Sequence, residues 1–543
     1  MAEENTPVLT LNVEPSITNE NTINNDVTNT ITELTVEEVI ENYVGSFGYS
    51  QIIQAFLVSL AWMFDAQSIL VTIFSDAEPE RWRCKPNHMC NGLQSGKGIS
   101  VCGLEPDSWV WEGGRHSTIL VEWGLVCNHK FLAALPASCF FLGSLIGSAI
   151  YGHLADSFLG RKKTLILACL LTAITALLTS FSPNIWTYAV LRFINGLTRS
   201  GIGICCLVLA TEVVGRKWRG QVGQYGFLFF TLGFLSLPLI AFYTKSCWRS
   251  LYRVLSIVVF VYSIVVLPFI LESPRWLLIR GRKTEAHSIL TKLATRNGRT
   301  LPTNIQLTDP CFSKNDPSKN ISLWECKWAR IRIILAMIVG FGVGYVYYAV
   351  QLNVENLNFS KYLSVAINAL LEIPAVFIGS FLLVFMNRRL LLSLSCILAG
   401  SSCLLCIIFT NGMILLYHVQ HNIYTCTIGN WIQLGIEGFG FMAASVAFDI
   451  TFVYCIELFP TNVRNFAVSL MRQALVLGDA VAPLLVVLGR LSTTFSFMVI
   501  GGLSILSGLV SLWLPETKNT PLFDTLEQQE KEEKLGSHEI SSP

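Results

Sequence analysis

An opening stretch of about 48 residues is rich in Asn, Thr and Glu, and after it the chain becomes a series of apolar runs separated by short polar breaks. Each run is long enough to cross a bilayer as one helix of roughly 20 residues. They fall near 51–74, 131–154, 164–182, 186–210, 222–243, 251–271, 332–352, 362–386, 390–409, 431–456, 469–488 and 494–514. The pattern predicts an all-α membrane protein with twelve transmembrane helices, because only helices and closed barrels satisfy their own backbone inside lipid. Charged residues interrupt some runs: Arg192 and Arg199 in the fourth, Arg472 and Asp479 in the eleventh. Asp65, Glu372, Glu437 and Asp449 also fall inside runs. A charge inside a span is costly unless it faces protein or a water-filled cavity, so these positions are where function is expected.

The runs repeat as a set of six. Glu212 precedes Arg219 after the fourth run, and Glu457 precedes Arg464 after the tenth with the same spacing, so that each carboxylate at a span end can meet its arginine. Leu271-Glu272-Ser-Pro-Arg275 follows the sixth run and Leu514-Pro-Glu516-Thr the twelfth; Gly160-Arg161-Lys162-Lys163 follows the second and Asn387-Arg388-Arg389 the eighth. This divides the chain into a polar N-tail (1–48), a six-helix half (49–271) with a long loop at 75–130, a connecting loop (272–331), a second half (332–514) and a C-tail (515–543). The tail 1–48 is too polar to bury a core and is expected to be disordered, except near Thr35-Val-Glu-Glu, where a capping box can start a helix. Parallel halves of this kind place a substrate site between them, near the middle of the bilayer.

Composition agrees with the pattern. Hydrophobic residues make up 52% of the 543 and charged residues 14%, well below the roughly 25% of soluble domains. The net charge of +1 gives no field for a polyanion, so nucleic acid is not an expected partner. The short loops with clustered Lys and Arg all share the side of the termini, while the loop near 409–430 has neither. Both termini are therefore expected in the cytoplasm. The loop at 75–130 then lies outside. Its four cysteines (Cys84, Cys90, Cys102 and Cys127) suggest two disulfides in an oxidising compartment, with three pairings open. Free thiols or a metal site with His88, His116 or His129 are the alternatives. Asn358-Phe-Ser360 is a glycosylation sequon on the same side.

Several of these segments resemble the major facilitator superfamily and, more narrowly, the organic cation/carnitine transporters, in particular their plant members. The resemblance rests on Gly152-His-Leu-Ala-Asp156-Ser-Phe-Leu-Gly160-Arg161-Lys162, Glu272-Ser-Pro-Arg275-Trp276, Gly281-Arg282-Lys283-Thr-Glu285-Ala286, Tyr347-Tyr348, Leu371-Glu372-Ile-Pro374, Glu457-Leu-Phe-Pro460-Thr461 and Pro515-Glu516-Thr517. It spans about 45–525. Sugar porters share several of these motifs, and the cysteine-bearing first outer loop is what narrows the match. Three residues instead of two separate Asp156 from Gly160, Met386-Asn387-Arg388-Arg389 lacks the matching acid, and Val476 stands where animal cation carriers have Asp and anion carriers Arg.

The resemblance implies a fold of two six-helix bundles and the transport of small organic cations or zwitterions by alternating access. It places Asp449, beside Phe448, at a substrate-facing position of the tenth span, where its charge could replace the one missing at Val476. It likens Glu372 to a pocket carboxylate and Tyr347 to a cavity-lining aromatic. Asp65, with Trp62 and Phe64, suggests a cation cage or a proton-coupling carboxylate. Each also has a plain structural reading: a helix–helix hydrogen bond for Asp449, a partner of the Pro374 kink for Glu372, packing for Tyr347. Arg472 and Asp479 share one helical face and can neutralise each other; a free Arg472 could bind a zwitterion's carboxylate. Asp156, Gly160, Arg161, Glu212, Arg219, Glu272, Arg275, Glu457 and Arg464 form a charge set that either enforces topology or gates the cytoplasmic face.

No GxxxxGK[ST] loop, HExxH or GxSxG is present, so neither ATP-driven transport nor an enzyme is expected, and no cofactor or resident metal. The expected partners are the bilayer, the organic solute, and protons or sodium. The plasma membrane is preferred to the vacuolar membrane. A proton-coupled sugar or other solute symporter and a non-transporting sensor on the same fold remain the competing readings.

Overall fold

A computed structural model describes residues 32–79, 82–85, 101–102, 108–302, 305–307, 323–354, 359–420, 423–489, 492–518 and 526–531. Among the described residues, twelve helices are long and apolar enough to span a membrane. They are α1 (Tyr49–Ser75), α2 (Phe131–Asp156), α3 (Gly160–Thr179), α4 (Ile185–Thr211), α5 (Arg216–Tyr243), α6 (Trp248–Phe269), α7 (Lys327–Asn353), α8 (Lys361–Phe385), α9 (Arg388–Ile408), α10 (Gly429–Leu458), α11 (Val463–Val487) and α12 (Thr494–Ser511). Each expected run overlaps one of them. Asn184 caps α4 by accepting from Thr187 N at 2.9 Å, and Ser492 does the same for α12 through Phe495 N. Pro238, Pro374 and Pro483 sit inside α5, α8 and α11, as bundled membrane helices allow.

The repeat is physical. In the first half α1 packs on α5, α2 on α4, and α3 on α4 and α6; in the second, α7 packs on α11, α8 on α10, and α9 on α10 and α12. The halves meet where α2 lies on α11 and α5 on α8. Even the closest approaches recur. A Cβ on Gly233 would stand 2.2 Å from the Met63 carbonyl oxygen, and one on Gly478 2.1 Å from that of Phe341, so α5–α1 and α11–α7 each need a glycine at the crossing.

The polar connections are more ordered than their composition suggests. The expected disorder of the N-tail is corrected from residue 32 onward. Strand β1 (Thr32–Leu34) pairs in parallel with β4 (Ile305–Leu307) in the connecting loop. Thr35 and Glu38 complete a capping box, and Val36, Val39, Ile40 and Val44 are buried. The connecting loop itself holds helices Pro274–Ile279 and Lys283–Arg296, and the C-tail a short helix at 526–531 whose Leu526 is buried. Short apolar runs, not overall polarity, decide whether such segments dock.

On the face opposite the termini, β2 (Trp82–Cys84) pairs antiparallel with β3 (Trp109–Trp111). Cys102 is disulfide-bonded to Cys127, and Cys84 is disulfide-bonded too. Cys90 lies outside the described residues, as do His88 and Asn358, the first residue of the sequon. His116 does not sit in a cysteine cluster; its Nδ1 lies 3.2 Å from Glu122 Oε2. Burial would push the Glu122 carboxyl up, but hydrogen bonds from Arg249, Trp248 and His116 outweigh it and hold it below the usual range.

Gly160 opens α3 with φ +81°, and a Cβ there would lie 2.7 Å from Glu272 Oε2 and 2.9 Å from the Trp276 ring. Gly160→Val therefore meets a backbone strain of about 1–3 kcal/mol and an overpacking cost of about the same size. The expected outcome is a marked loss of monodisperse protein in fluorescence-detected size exclusion.

Candidate functional site

Three helices of the second half bring an acid and aromatic group together. Tyr347 on α7 donates its hydroxyl to Glu372 Oε1 on α8 at 2.6 Å. The Tyr347 ring lies 4.8 Å from that of Phe448 and 5.6 Å from that of Phe441, both on α10. Phe441 in turn meets Phe234 of α5 at 6.0 Å, so this group touches the first half. Glu372 is 7% exposed and points into protein, not at lipid. Asp449 follows Phe448, is half-buried and has no hydrogen bond or ion pair among the described residues. Two carboxylates and three rings is the chemistry that holds an organic cation.

A second group carries both signs. Asp65 on α1 pairs with Arg199 on α4, Oδ1 to Nε at 3.0 Å, and both are buried. A methyl group on Gly203 would stand 3.2 Å from Arg472 Nη2 and 4.0 Å from Asp65 Oδ2, which brings α11 to the same place. Asp479, two turns further along α11 from Arg472, is buried as well. Two carboxylates and two guanidiniums thus gather from α1, α4 and α11. Arg192, one turn or two away on α4, is 1% exposed, stacks on Phe140 at 4.1 Å and donates to the Ser68 carbonyl.

Three expectations about residue partners fail. Trp62, Phe64 and Asp65 do not form a cage. Trp62 packs on Phe227 of α5 at 5.7 Å, Phe64 on Tyr262 of α6 at 5.0 Å, and Asp65 turns to Arg199. Trp62 and Phe64 are two residues apart, about 200° around the helix, so they face opposite ways and cannot close one cage around Asp65. Arg472 and Asp479 form no ion pair with each other, because Arg472 reaches across to α1 and α4. Nor does Glu212 pair with Arg219, or Glu457 with Arg464.

The charge set instead pairs within each half. Arg161 meets Asp156 at 3.0 Å and Glu212 at 3.8 Å, while Glu272 accepts from the backbone of Arg161 and Lys162 at the start of α3. Arg388 meets Glu457 at 3.1 Å, and Glu516 accepts from the backbone of Arg388 and Arg389 at the start of α9. Each glutamate thus takes the arginine of the loop motif, and each second glutamate caps a helix N-terminus. Arg464 only donates to the Phe459 carbonyl. Arg219 and Arg275 go to Glu37 of the N-tail at 3.0 and 2.8 Å, which Arg216 also meets. These contacts brace the halves singly; they do not join one half to the other. Burial pushes the Glu212 and Glu272 carboxyls up, against hydrogen bonds from Ser273 and the loop backbone.

The halves close on the opposite face. Thr72 and Tyr348 share a hydrogen bond at 3.0 Å, Phe74 stacks on Tyr362 at 5.3 Å, and Phe242 meets Tyr362 edge-on at 5.7 Å. A cleft of about 520 Å³ lies above this closure, lined by Phe242, Lys245, Trp248 and Tyr362 among others; it is not the site at Glu372. Sequence reasoning missed Phe441, Tyr348 and Glu37. Phe441 looked like any spanning aromatic, Tyr348 was read only as part of a motif, and Glu37 lay at a helix start whose capping box said nothing of its partners.

Comparison with known proteins places this geometry. Residues 101–528 match the family model described as sugar (and other) transporter. The chain is 42% identical to organic cation/carnitine transporter 3 of Arabidopsis thaliana, over 91% of this chain and 93% of that one. It is 31% identical to organic cation/carnitine transporter 2 of Homo sapiens, over 81% and 78%. The inward open structure of the xylose transporter XylE from E. coli superposes with a TM-score of 0.58 at 15% identity, covering 89% of this chain and 98% of that one.

Proposed function

Since the chain belongs to the sugar (and other) transporter family, and within it to the organic cation/carnitine transporters of plant type, we propose that it carries small organic cations or zwitterions by alternating access. The observation that carries this reading is the Tyr347–Glu372 hydrogen bond beside an unpaired Asp449 and the rings of Phe441 and Phe448. A quaternary ammonium against such rings gains roughly 0.5–2 kcal/mol, and the carboxylates supply the opposite charge. The guanidiniums of Arg199 and Arg472 offer a second pole for a substrate carboxylate, which suits a carnitine-like zwitterion.

The two faces then alternate. The aromatic closure around Tyr362 seals one, while charge pairs kept within each half leave the other free to part. The clustered Lys and Arg of the short loops support termini in the cytoplasm, and the Cys102–Cys127 disulfide suits an outer position for the opposite face. An inside-negative potential adds about 2.3 kcal/mol per charge per 100 mV, enough to accumulate a monovalent cation.

Purified protein in liposomes tests this. A potassium diffusion potential should drive uptake of radiolabelled tetraethylammonium, and unlabelled carnitine should compete with it. Asp449→Asn should raise the KM for tetraethylammonium about five- to thirtyfold with little change in folded protein, the loss of about 1–2 kcal/mol. Hexose-stimulated proton entry without cation uptake would replace the proposal with a sugar symporter.

A further inference from the structure

One buried carboxylate has no place in the substrate site. Glu437 on α10 is 4% exposed, and Asn368 on α8 is fully buried. Asn368 Nδ2 donates to Glu437 Oε1 at 2.9 Å. The other oxygen of each group, Glu437 Oε2 and Asn368 Oδ1, is buried and has no donor. No Lys, Arg or His among the described residues pairs with Glu437. A bare carboxylate in this position would face a desolvation cost of several kcal/mol against one neutral hydrogen bond.

The two orphaned atoms are complementary. An amide and a carboxylic acid form a closed ring when N–H meets one carboxyl oxygen and O–H meets the amide oxygen. Half of that ring is already drawn by Asn368 Nδ2 and Glu437 Oε1, and a single proton on Oε2 supplies a donor for Asn368 Oδ1. We propose that Glu437 is protonated in this conformation and that the Glu437–Asn368 pair is the site of a coupling proton. The proposal rests on the transport reading above for its coupling role, and on geometry alone for the proton.

Its position fits that role. Asn368 stands one turn from Glu372 on α8, and Glu437 one turn from Phe441 on α10, so the pair adjoins the substrate site through both helices. In the direction of the opposite face lie Ser364 Oγ, one turn along α8, and Asn430 Oδ1, two turns along α10, both buried and without partners. They are further buried polar groups on the turns of α8 and α10 that lead from the pair towards that face. The titratable groups facing Glu437 from the packed helices are the thiols of Cys403 and Cys406 on α9, with Glu372 of α8 and Tyr347 of α7 beyond. None of these supplies a positive charge. Asp65, by contrast, has a cationic partner, Arg199, against its carboxylate.

Infrared spectroscopy of the purified full chain at neutral pH reads the proton directly. The carbonyl band of a protonated carboxylic acid should lose one component in Glu437→Gln, and that component should shift without vanishing in Asn368→Leu. In liposomes, an inward proton gradient at zero potential should stimulate tetraethylammonium uptake several-fold. That ratio should fall to one in Glu437→Gln and return in Glu437→Asp. An acid band unchanged by Glu437→Gln overturns the protonation. Wild-type uptake blind to the gradient, or stimulated by sodium instead, overturns the coupling role. No uptake by any variant, wild type included, sinks the transport reading and the coupling role with it, while the infrared result still decides the proton.

Discussion

Glu372→Gln is expected to lower potential-driven uptake of tetraethylammonium by ten- to a thousandfold, the loss of about 1.4–4 kcal/mol that removing one partner of a desolvated charge pair entails. Gln keeps the length and shape of the side chain, and its carbonyl can still accept from the Tyr347 hydroxyl, so α7 and α8 should stay in register. What goes is the carboxyl group that can take a charge against a bound cation. Folded protein in the membrane is therefore expected within about twofold of wild type by fluorescence size exclusion, which separates binding from folding. Tyr347→Phe is the control. It removes a hydrogen bond to a charged group, about 1.5–3 kcal/mol in a buried setting, but leaves both the ring that faces Phe448 and the Glu372 charge. Its effect on uptake should be smaller than that of Glu372→Gln. Affinity unchanged in both Glu372→Gln and Asp449→Asn would remove the pocket assignment altogether.

The twelve spans and their division into halves were legible because lipid imposes one rule on every span. An apolar run of fixed length is a helix whatever its neighbours, and the run itself is visible in sequence. The repeat was legible for the same reason. Arg161 and Arg388, Glu212 and Glu457, and Glu272 and Glu516 hold matching places in the two halves. Which of these pairs with which was not legible, because pairing depends on how helix ends turn. Spacing put Glu212 with Arg219, yet the chain reverses after Thr211 and carries Arg219 towards Glu37. In the N-tail the capping box at Thr35 was legible but the docking was not, because Val36, Val39, Ile40 and Val44 are too few to show as a core and too many to stay exposed. In the site, Tyr347 meets both Glu372 and Phe448, and Asp449 follows Phe448 on α10. Trp62 and Phe64 form no cage with Asp65, since adjacency along a helix says nothing about a shared face.

Asp65 is where removing one atom group should cost the most stability. Its carboxylate stands against Arg199 at 3.0 Å, with Arg472 beside the same α4 surface at Gly203. Asp65→Asn leaves two guanidiniums and only Asp479 to oppose them. Breaking a buried ion pair from one side costs about 3–5 kcal/mol, because the abandoned charge stays desolvated. The expected result is a clear fall in the Tm of detergent-purified protein, larger than for Glu372→Gln, where no fixed cation is stranded. The pair and the cluster then separate by a second step. If Asp65 serves Arg199 alone, the double variant Asp65→Leu, Arg199→Leu should recover nearly all the lost stability, since an apolar replacement of a whole buried pair is often neutral. The geometry instead has Asp65 shared, so the double variant should recover only in part. Adding Arg472→Leu would then leave Asp479 as the lone charge and lower the Tm again, whereas Asp479→Leu together with Arg472→Leu should restore it. Full recovery in the double variant would show that Arg472 draws nothing from Asp65 and that α11 is held to α4 by packing alone.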